Sequence, residues 1–289
     1  MKKVWSLLLA GAMLLSLAAC GSSGGSAAGS GSGSGSGDTS AAEPVELTVF
    51  AAASMTETLN AIAEQYKTVA PNVTLTFNFD SSGTLLDQIE AGAVCDLFIS
   101  AAPKQMNALD GSLVGDTDKN PDGQDMIDTD TRVDLLENKV TLVVPEGNPK
   151  GITSFDQLAD LLKNGEVSLA VGNSDVPVGQ YTLKIFNYYG IDEAAVASKL
   201  TYGTNVKEVT TQVSEGSVDC GIIYATDAYS AGLSVVAEAT AEMCGQVIYP
   251  AAVLKDSQHA AEAAAFLNYL RTDSSATEIF QGVGFTPLG

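Results

Sequence analysis

The sequence predicts an α/β chain of two lobes, each a mostly parallel sheet flanked by helices. Three observations carry that expectation. From Val45 onward, short apolar runs alternate with amphipathic segments. The chain has 289 residues, 45% of them hydrophobic, enough to bury a core in one large domain or two modest lobes. Two strand-like runs, Lys139 to Pro145 and Gln246 to Leu254, have the length to cross between lobes. Strand and helix in alternation favour parallel sheets, because each parallel strand needs a crossover that packs on a face.

The first twenty residues stand apart from that pattern. Lys2 and Lys3 precede an apolar stretch, Val4 to Leu17, too short for a comfortable membrane span. Leu17-Ala18-Ala19-Cys20 then resembles a bacterial lipobox, which implies cleavage before Cys20 and a lipid on its sulfur. Residues 1–20 are therefore expected to be a lipoprotein signal peptide that leaves the protein extracytoplasmic and membrane-anchored. Residues 21–43 are almost all Gly, Ser and Ala. Such a segment buries no apolar surface and is expected to act as a tether, with an end-to-end distance of about 25 Å.

The folded part reads in order. ELTVFAA, VTLTFNF, DLFIS, VTLVV, VSLAV, CGIIY and VIYPAAVL are expected strands. TETLNAIAEQYKT, TLLDQIEAG, SFDQLADLLKNG, QYTLKIFNYYG and VKEVTTQVSEG are expected helices, and His259 to Phe280 reads as two more. With the crossings above, one lobe is expected over 45–137 plus 252–289 and the other over 138–251. Ligands of open α/β sheets bind beyond the carboxyl ends of the strands, which points to the cleft between the lobes.

Four helix starts follow strands with neutral polar residues at the junction. Ser54 stands three residues before Glu57, and Asn205 three before Glu208, both at capping-box spacing. Between them come Asp80-Ser81-Ser82-Gly83-Thr84 and Val176-Pro177-Val178-Gly179. Helix starts expose unpaired N–H groups and a partial positive charge, so several that converge can hold an anion without lysine or arginine. Taken singly, each is explained as an ordinary cap.

From about Glu46 to Gly289 the chain resembles the molybdate-binding proteins of ABC importers. The resemblance rests on VFAAAS, SSGTLLDQIEAGAVCDLFISA, LLENKVTLVVP, AVGNSDVPVGQY, GIIYATDA and EIFQGVGF, in order across both lobes. It implies a type II periplasmic-binding-protein-like fold and a receptor, expected to be monomeric, that passes molybdate or tungstate to a membrane permease. It implies no cofactor and no catalysis. It also implies the oxyanion ligands: the hydroxyls of Ser54, Ser82 and Tyr224, and the backbone amides of Val178 and Val206. Ser81 and Asp80 would stand just behind them. Gly83 departs from the family, which often has a third serine there. Asp80 departs too, and is expected to face solvent or cap a helix, since turned inward it would repel a dianion.

Other signals weigh less. The formal charge of −21 disfavours nucleic acid or an anionic membrane surface as partner. DTDKNPDGQDMIDTD (116–130) reads as a solvated acidic loop with the first half of a calcium-loop pattern and no Glu at its twelfth position. Tyr188 and Tyr189 sit in a helical run where packing explains them. His259 is the only histidine, with no Gly-x-Ser-x-Gly and no phosphate loop, so no catalyst is expected. Cys95 and Cys220 read as small buried hydrophobes, and whether Cys220 pairs with Cys244 stays open. Three rival readings stand: a receptor for sulfate, phosphate or arsenate, an adhesive lipoprotein with no small ligand, and a hydrolase with Ser54 or Ser82 as nucleophile, against which the lack of any nearby base counts.

Overall fold

The structure, a computed structural model, describes residues 43–289. The expected signal peptide with Cys20, and the tether up to residue 42, lie outside the described residues. The chain begins with β1 (Val45–Ala52), α1 (Thr56–Val69), β2 (Val73–Asp80), α2 (Ser82–Glu90), β3 (Leu97–Ile99), α3 (Pro103–Ala108) and β4 (Val133–Asn138). It continues through β5 (Val140–Val144), α4 (Phe155–Lys163), β6 (Leu169–Gly172), α5 (Pro177–Tyr189), α6 (Glu193–Val196) and β7 (Leu200–Gly203). Next come α7 (Val206–Ser214), β8 (Cys220–Tyr224), α8 (Ala225–Ala231), β9 (Ser234–Glu238) and α9 (Ala241–Cys244). It ends with β10 (Val247–Val253), α10 (Ala260–Thr272), α11 (Ser274–Gly282) and β11 (Thr286–Pro287).

These strands form two sheets, ordered β11-β4-β10-β3-β1-β2 and β7-β6-β8-β5-β9. The expected two-lobed α/β architecture is present, but both sheets are mixed. In the first, β10 runs antiparallel to β3 and β4. In the second, β5 runs antiparallel to β8 and β9. The physical reason is the crossing itself. The parallel strands of each sheet point their carboxyl ends at the cleft, and a strand arriving from the other lobe enters from that side. It must therefore run the opposite way.

The first crossing is short: β4 ends at Asn138 and β5 begins at Val140. The return crossing lies between Glu238 and Val247, because β10 pairs along its length with first-sheet strands. That is earlier than the 251/252 boundary read from the apolar run. Apolar residues mark a buried strand without naming the sheet it joins. The short or half-exposed strands β4, β7, β9 and β11 gave no comparable signal.

Helices form where apolar residues recur at helical spacing. In α1, Leu59, Ile62 and Tyr66 face inward, and Tyr66 packs on Phe266 and Tyr269 of α10 with ring centroids 4.8 and 4.9 Å away. Ser81 caps α2 by accepting from Thr84 N–H at 3.1 Å. Ser154 caps α4 in the same way. Cys95, Cys220 and Cys244 are all buried free thiols, so Cys220 and Cys244 are not bridged. Burial pushes the Cys95 and Cys220 thiols up to about 12, which keeps them inert. In the acidic loop, Asn120 is buried and turned onto its own backbone. It donates to the carbonyls of Asp110 and Gln124 and accepts from Gln124 N–H. Among the described residues no group of three or more His, Cys, Asp or Glu could hold a metal ion.

Helix α5 ends at Gly190, whose φ of 60° lies in the left-handed region. A Cβ there would meet nothing within 4 Å, so the glycine serves conformation alone. Gly190→Ala is expected to lower unfolding free energy by about 1 kcal/mol, read by denaturant melts, without changing ligand affinity.

Candidate functional site

Strand register decides which loops meet. In the parallel pair β1–β2, Ala52 stands opposite Asp80. The segments that follow, Ala53–Met55 and Ser81–Ser82, therefore leave the sheet side by side. β3 ends level with them, with Ile99 opposite Ala51. In the second sheet Gly172 of β6 stands opposite Gly203 of β7, so the starts of α5 and α7 are neighbours. β8 lies parallel on the other side of β6 and ends at Tyr224. All these carboxyl ends face the cleft, where they line a small cavity of about 10 Å³.

Ser54, Asp80, Ser81, Ser82, Val206 and Tyr224 line this cavity, together with Ala101, Val176 and Pro177. Val178 is buried one residue past Pro177 and is not part of the wall. The lining is neutral except for Asp80. That carboxylate, expected to face solvent or cap a helix, is half-buried at the rim. Its Oδ1 accepts from Ser81 N–H at 2.7 Å and from the Asn205 amide of the facing lobe at 3.4 Å.

Ser54 does not play the capping role its spacing suggested. It lies in a 3-10 turn, and the cap position of α1 falls on Met55, with no side-chain cap. The Ser54 hydroxyl instead meets the Tyr249 hydroxyl at 2.9 Å. Tyr249 in turn accepts from Asn138 Nδ2 at 3.1 Å. With that lone pair occupied, the Tyr249 proton can go to Ser54 Oγ, which frees the Ser54 proton for the cavity. Ser82 is set in the same way. Its Oγ accepts from Ala101 N–H at 2.9 Å and leaves its own proton to donate. Ser81 differs, since its hydroxyl is spent on the cap and on Thr84 Oγ1 at 2.8 Å.

Tyr224 is fully buried, and its hydroxyl, though near that of Tyr249, has no well-directed hydrogen-bond partner among the described residues. Burial, then the nearby Tyr249, pushes its ionisation far above the usual tyrosine range. It is therefore a fixed O–H donor. Its ring is held edge-on by Tyr249 and Tyr181, at centroid distances of 5.7 and 6.4 Å. The helix starts add amides. α5 opens with Pro177, and its cap residue Val176 offers no side-chain acceptor. The Asn205 side chain caps Glu208 N–H at 3.1 Å and leaves the Val206 amide free at the first position of α7.

Sequence reasoning missed the residues that support this wall. Tyr249 and Asn138 sit on the crossing strands, where they read as ordinary strand positions. Lys207 also went unnoticed. Its ammonium is 2.7 Å from Glu57 of α1 and 3.1 Å from Asp227 of α8, so it joins the two lobes beside Val206. Burial works against that charge, but Asp227 and Glu57 outweigh it and hold the lysine above its usual range. Asp227 is wholly buried, and neither carboxylate oxygen has a well-directed hydrogen bond. Burial raises it to about 6, with Lys207 opposing.

The profile described as bacterial extracellular solute-binding protein matches residues 47–286. The chain is 34% identical over 292 residues to the molybdate-binding protein ModA of Escherichia coli strain K12, covering 99% of each. It resembles a solved substrate-binding domain assigned to a molybdenum ABC transporter of Clostridium difficile. There the identity is 32% and the TM-score 0.61, over 85% of this chain and all of that one. The periplasmic molybdate-binding protein of Azotobacter vinelandii shares the fold, with TM-score 0.68 at 20% identity, over 83% of this chain and 98% of that one.

Because Asp227 titrates higher in the folded chain than in the unfolded one, its proton favours folding. The stability it contributes is complete below about pH 4 and is lost as pH rises through about 6. The unfolding free energy of the wild type relative to Asp227→Asn should fall by about 1.4 kcal/mol per pH unit across that window, then level off. Denaturant melts at stepped pH check this, and a flat difference would show that Asp227 titrates normally.

Proposed function

The chain belongs to the bacterial extracellular solute-binding proteins, and on that premise we propose that it is a receptor that captures molybdate or tungstate and hands it to an ABC permease. The observation that carries the reading is the Tyr224 hydroxyl, a buried donor without a well-directed partner, on the wall of a small cavity whose one charged lining residue is Asp80. Such a group costs about 1–3 kcal/mol until something accepts from it. Ser82, whose oxygen already accepts from Ala101 N–H, brings a second proton from the facing lobe, and Ser54 brings a third when it accepts from Tyr249. Donors without acceptors suit a fully deprotonated tetrahedral oxyanion.

The capture mechanism follows from where those donors sit. Ser54 and Ser82 belong to the lobe built on the first sheet, and Tyr224, Val206 and the start of α5 to the other. No single lobe surrounds the ion, so binding favours the closed arrangement by as much as the second set of donors adds. The amide of Val178, one residue inside α5, would join through the same helix start. Extracytoplasmic capture and delivery to a permease fit the family and the relatives' names. Anchoring through a lipid on Cys20 belongs to the same reading and rests on Leu17-Ala18-Ala19-Cys20 alone. Asp80 supports a second reading. Its carboxylate at the rim could accept the proton of hydrogen phosphate or arsenate.

A melting series on residues 43–289 separates the two. Molybdate or tungstate at 100 times its dissociation constant should add about 2.7 kcal/mol to stability, and sulfate and phosphate should add little. A shift with phosphate or arsenate alone would transfer the assignment to the second reading. Tyr224→Phe should weaken molybdate binding by about 1–2 kcal/mol. Its ligand-free melting temperature should hold or rise, because the orphan hydroxyl is gone. Unchanged affinity in that variant would remove Tyr224 from the site.

A further inference from the structure

Gly83 occupies the first turn of α2, directly after Ser82. It is buried, and its φ lies outside the left-handed region, so its backbone would accept any ordinary residue. Space is what excludes one. A Cβ on Gly83 would overlap the carbonyl oxygen of Asp175 and stand 3.0 Å from the Asp175 carbonyl carbon and Cβ. Asp175 belongs to the facing lobe, in the turn that leads into Val176 and Pro177 of the cavity wall. The obstacle is backbone and cannot swing away.

Other crowded glycines are hemmed in from within their own lobe. Gly179 meets the carbonyls of Gly172 and Asn173, Gly203 meets Val209 and Asn205, and Gly221 meets Val213. Those positions serve the fold of one lobe. Gly83 is crowded across the cleft, so its constraint exists only when the lobes are together.

We infer that Gly83 is the closure stop of this receptor: the missing side chain sets how near the Ser82 wall and the α5 wall approach, and so how tightly the oxyanion is gripped. With the Asp175 turn placed as it is in this chain, even a methyl there would hold the walls apart by roughly 1 Å. Hydrogen bonds need donor and acceptor within about 2.7–3.2 Å, so an ion seated on one wall would lose donors on the other. The same substitution leaves the isolated lobe unharmed, because at this first-turn position with an ordinary φ alanine is at least as good a helix residue as glycine. This inference rests on the reading of the cleft as an oxyanion site that closes.

The test compares wild type, Gly83→Ala and a control, Gly282→Ala, whose Cβ meets nothing within 4 Å. Each is titrated with molybdate by calorimetry and melted without ligand. Gly83→Ala should raise the dissociation constant by roughly tenfold or more, as loss of one hydrogen bond to a charged partner requires. Its ligand-free melting temperature should equal or exceed that of wild type. Equal affinity for molybdate in wild type and Gly83→Ala would overturn the closure stop and leave the receptor reading intact. A ligand-free Gly83→Ala that melts below wild type would also overturn it, since Gly83 would then serve its own lobe. A wild type that binds neither molybdate nor tungstate would fail the receptor reading itself, before Gly83 is at issue.

Discussion

The hydrogen bond between Tyr249 and Ser54 links the crossing strands to the cavity, and much of the site is organised through it. Asn138 ends the strand that leaves the first sheet, and Tyr249 lies on the strand that returns. Their contact at 3.1 Å fixes the tyrosine oxygen as an acceptor and lets its proton run toward Ser54. Asn138 also donates to Thr226 at 2.9 Å, two residues past Tyr224. One amide therefore braces both walls of the cavity. Because these groups are buried, an unmet member would be costly, and that cost keeps the geometry single.

Charge explains why the site is built this way. A chain of formal charge −21 repels a dianion at long range, although salt screens that beyond about 8–10 Å. At contact, the proposed grip relies on dipoles fixed in advance, whose orientation needs no reorganisation when the ion arrives. Lys207 stands beside Val206, yet its charge is already shared between Glu57 and Asp227. It acts across the cleft as a tie, along with the Asn205–Asp80 contact on the other side of Val206. The start of α7 is thus held to the facing lobe at two points that flank the free amide.

The return strand β10 shows how topology constrains chemistry. It enters the first sheet from the cleft, which makes it antiparallel to β3 and β4 and carries Tyr249 beyond the end of β3, opposite Leu136 of β4. A parallel strand at that place would have put a loop there instead. The mixed sheets are thus the geometric consequence of passing the chain between lobes twice, and the buried tyrosine pair Tyr224–Tyr249 sits where the crossings meet.

Periodicity and turn chemistry made most elements legible in the sequence: the apolar runs of β1, β2, β3, β5, β6, β8 and β10, and the amphipathic faces of α1, α2, α4, α5 and α7. Local chemistry also determined that neutral polar residues stand where strands give way to helices. The resemblance singled out Ser54, Ser82 and Tyr224, together with the backbone amides of Val178 and Val206. Spacing misread Ser54 as a cap, because its hydroxyl answers to Tyr249, 195 positions away in the chain. It could not see Lys207 between Glu57 and Asp227, nor Asp175 against Gly83, because each contact joins segments distant in sequence. Local propensity is a property of neighbours in the chain, whereas closure, burial and proton direction are properties of neighbours in space, and only the tertiary structure decides those.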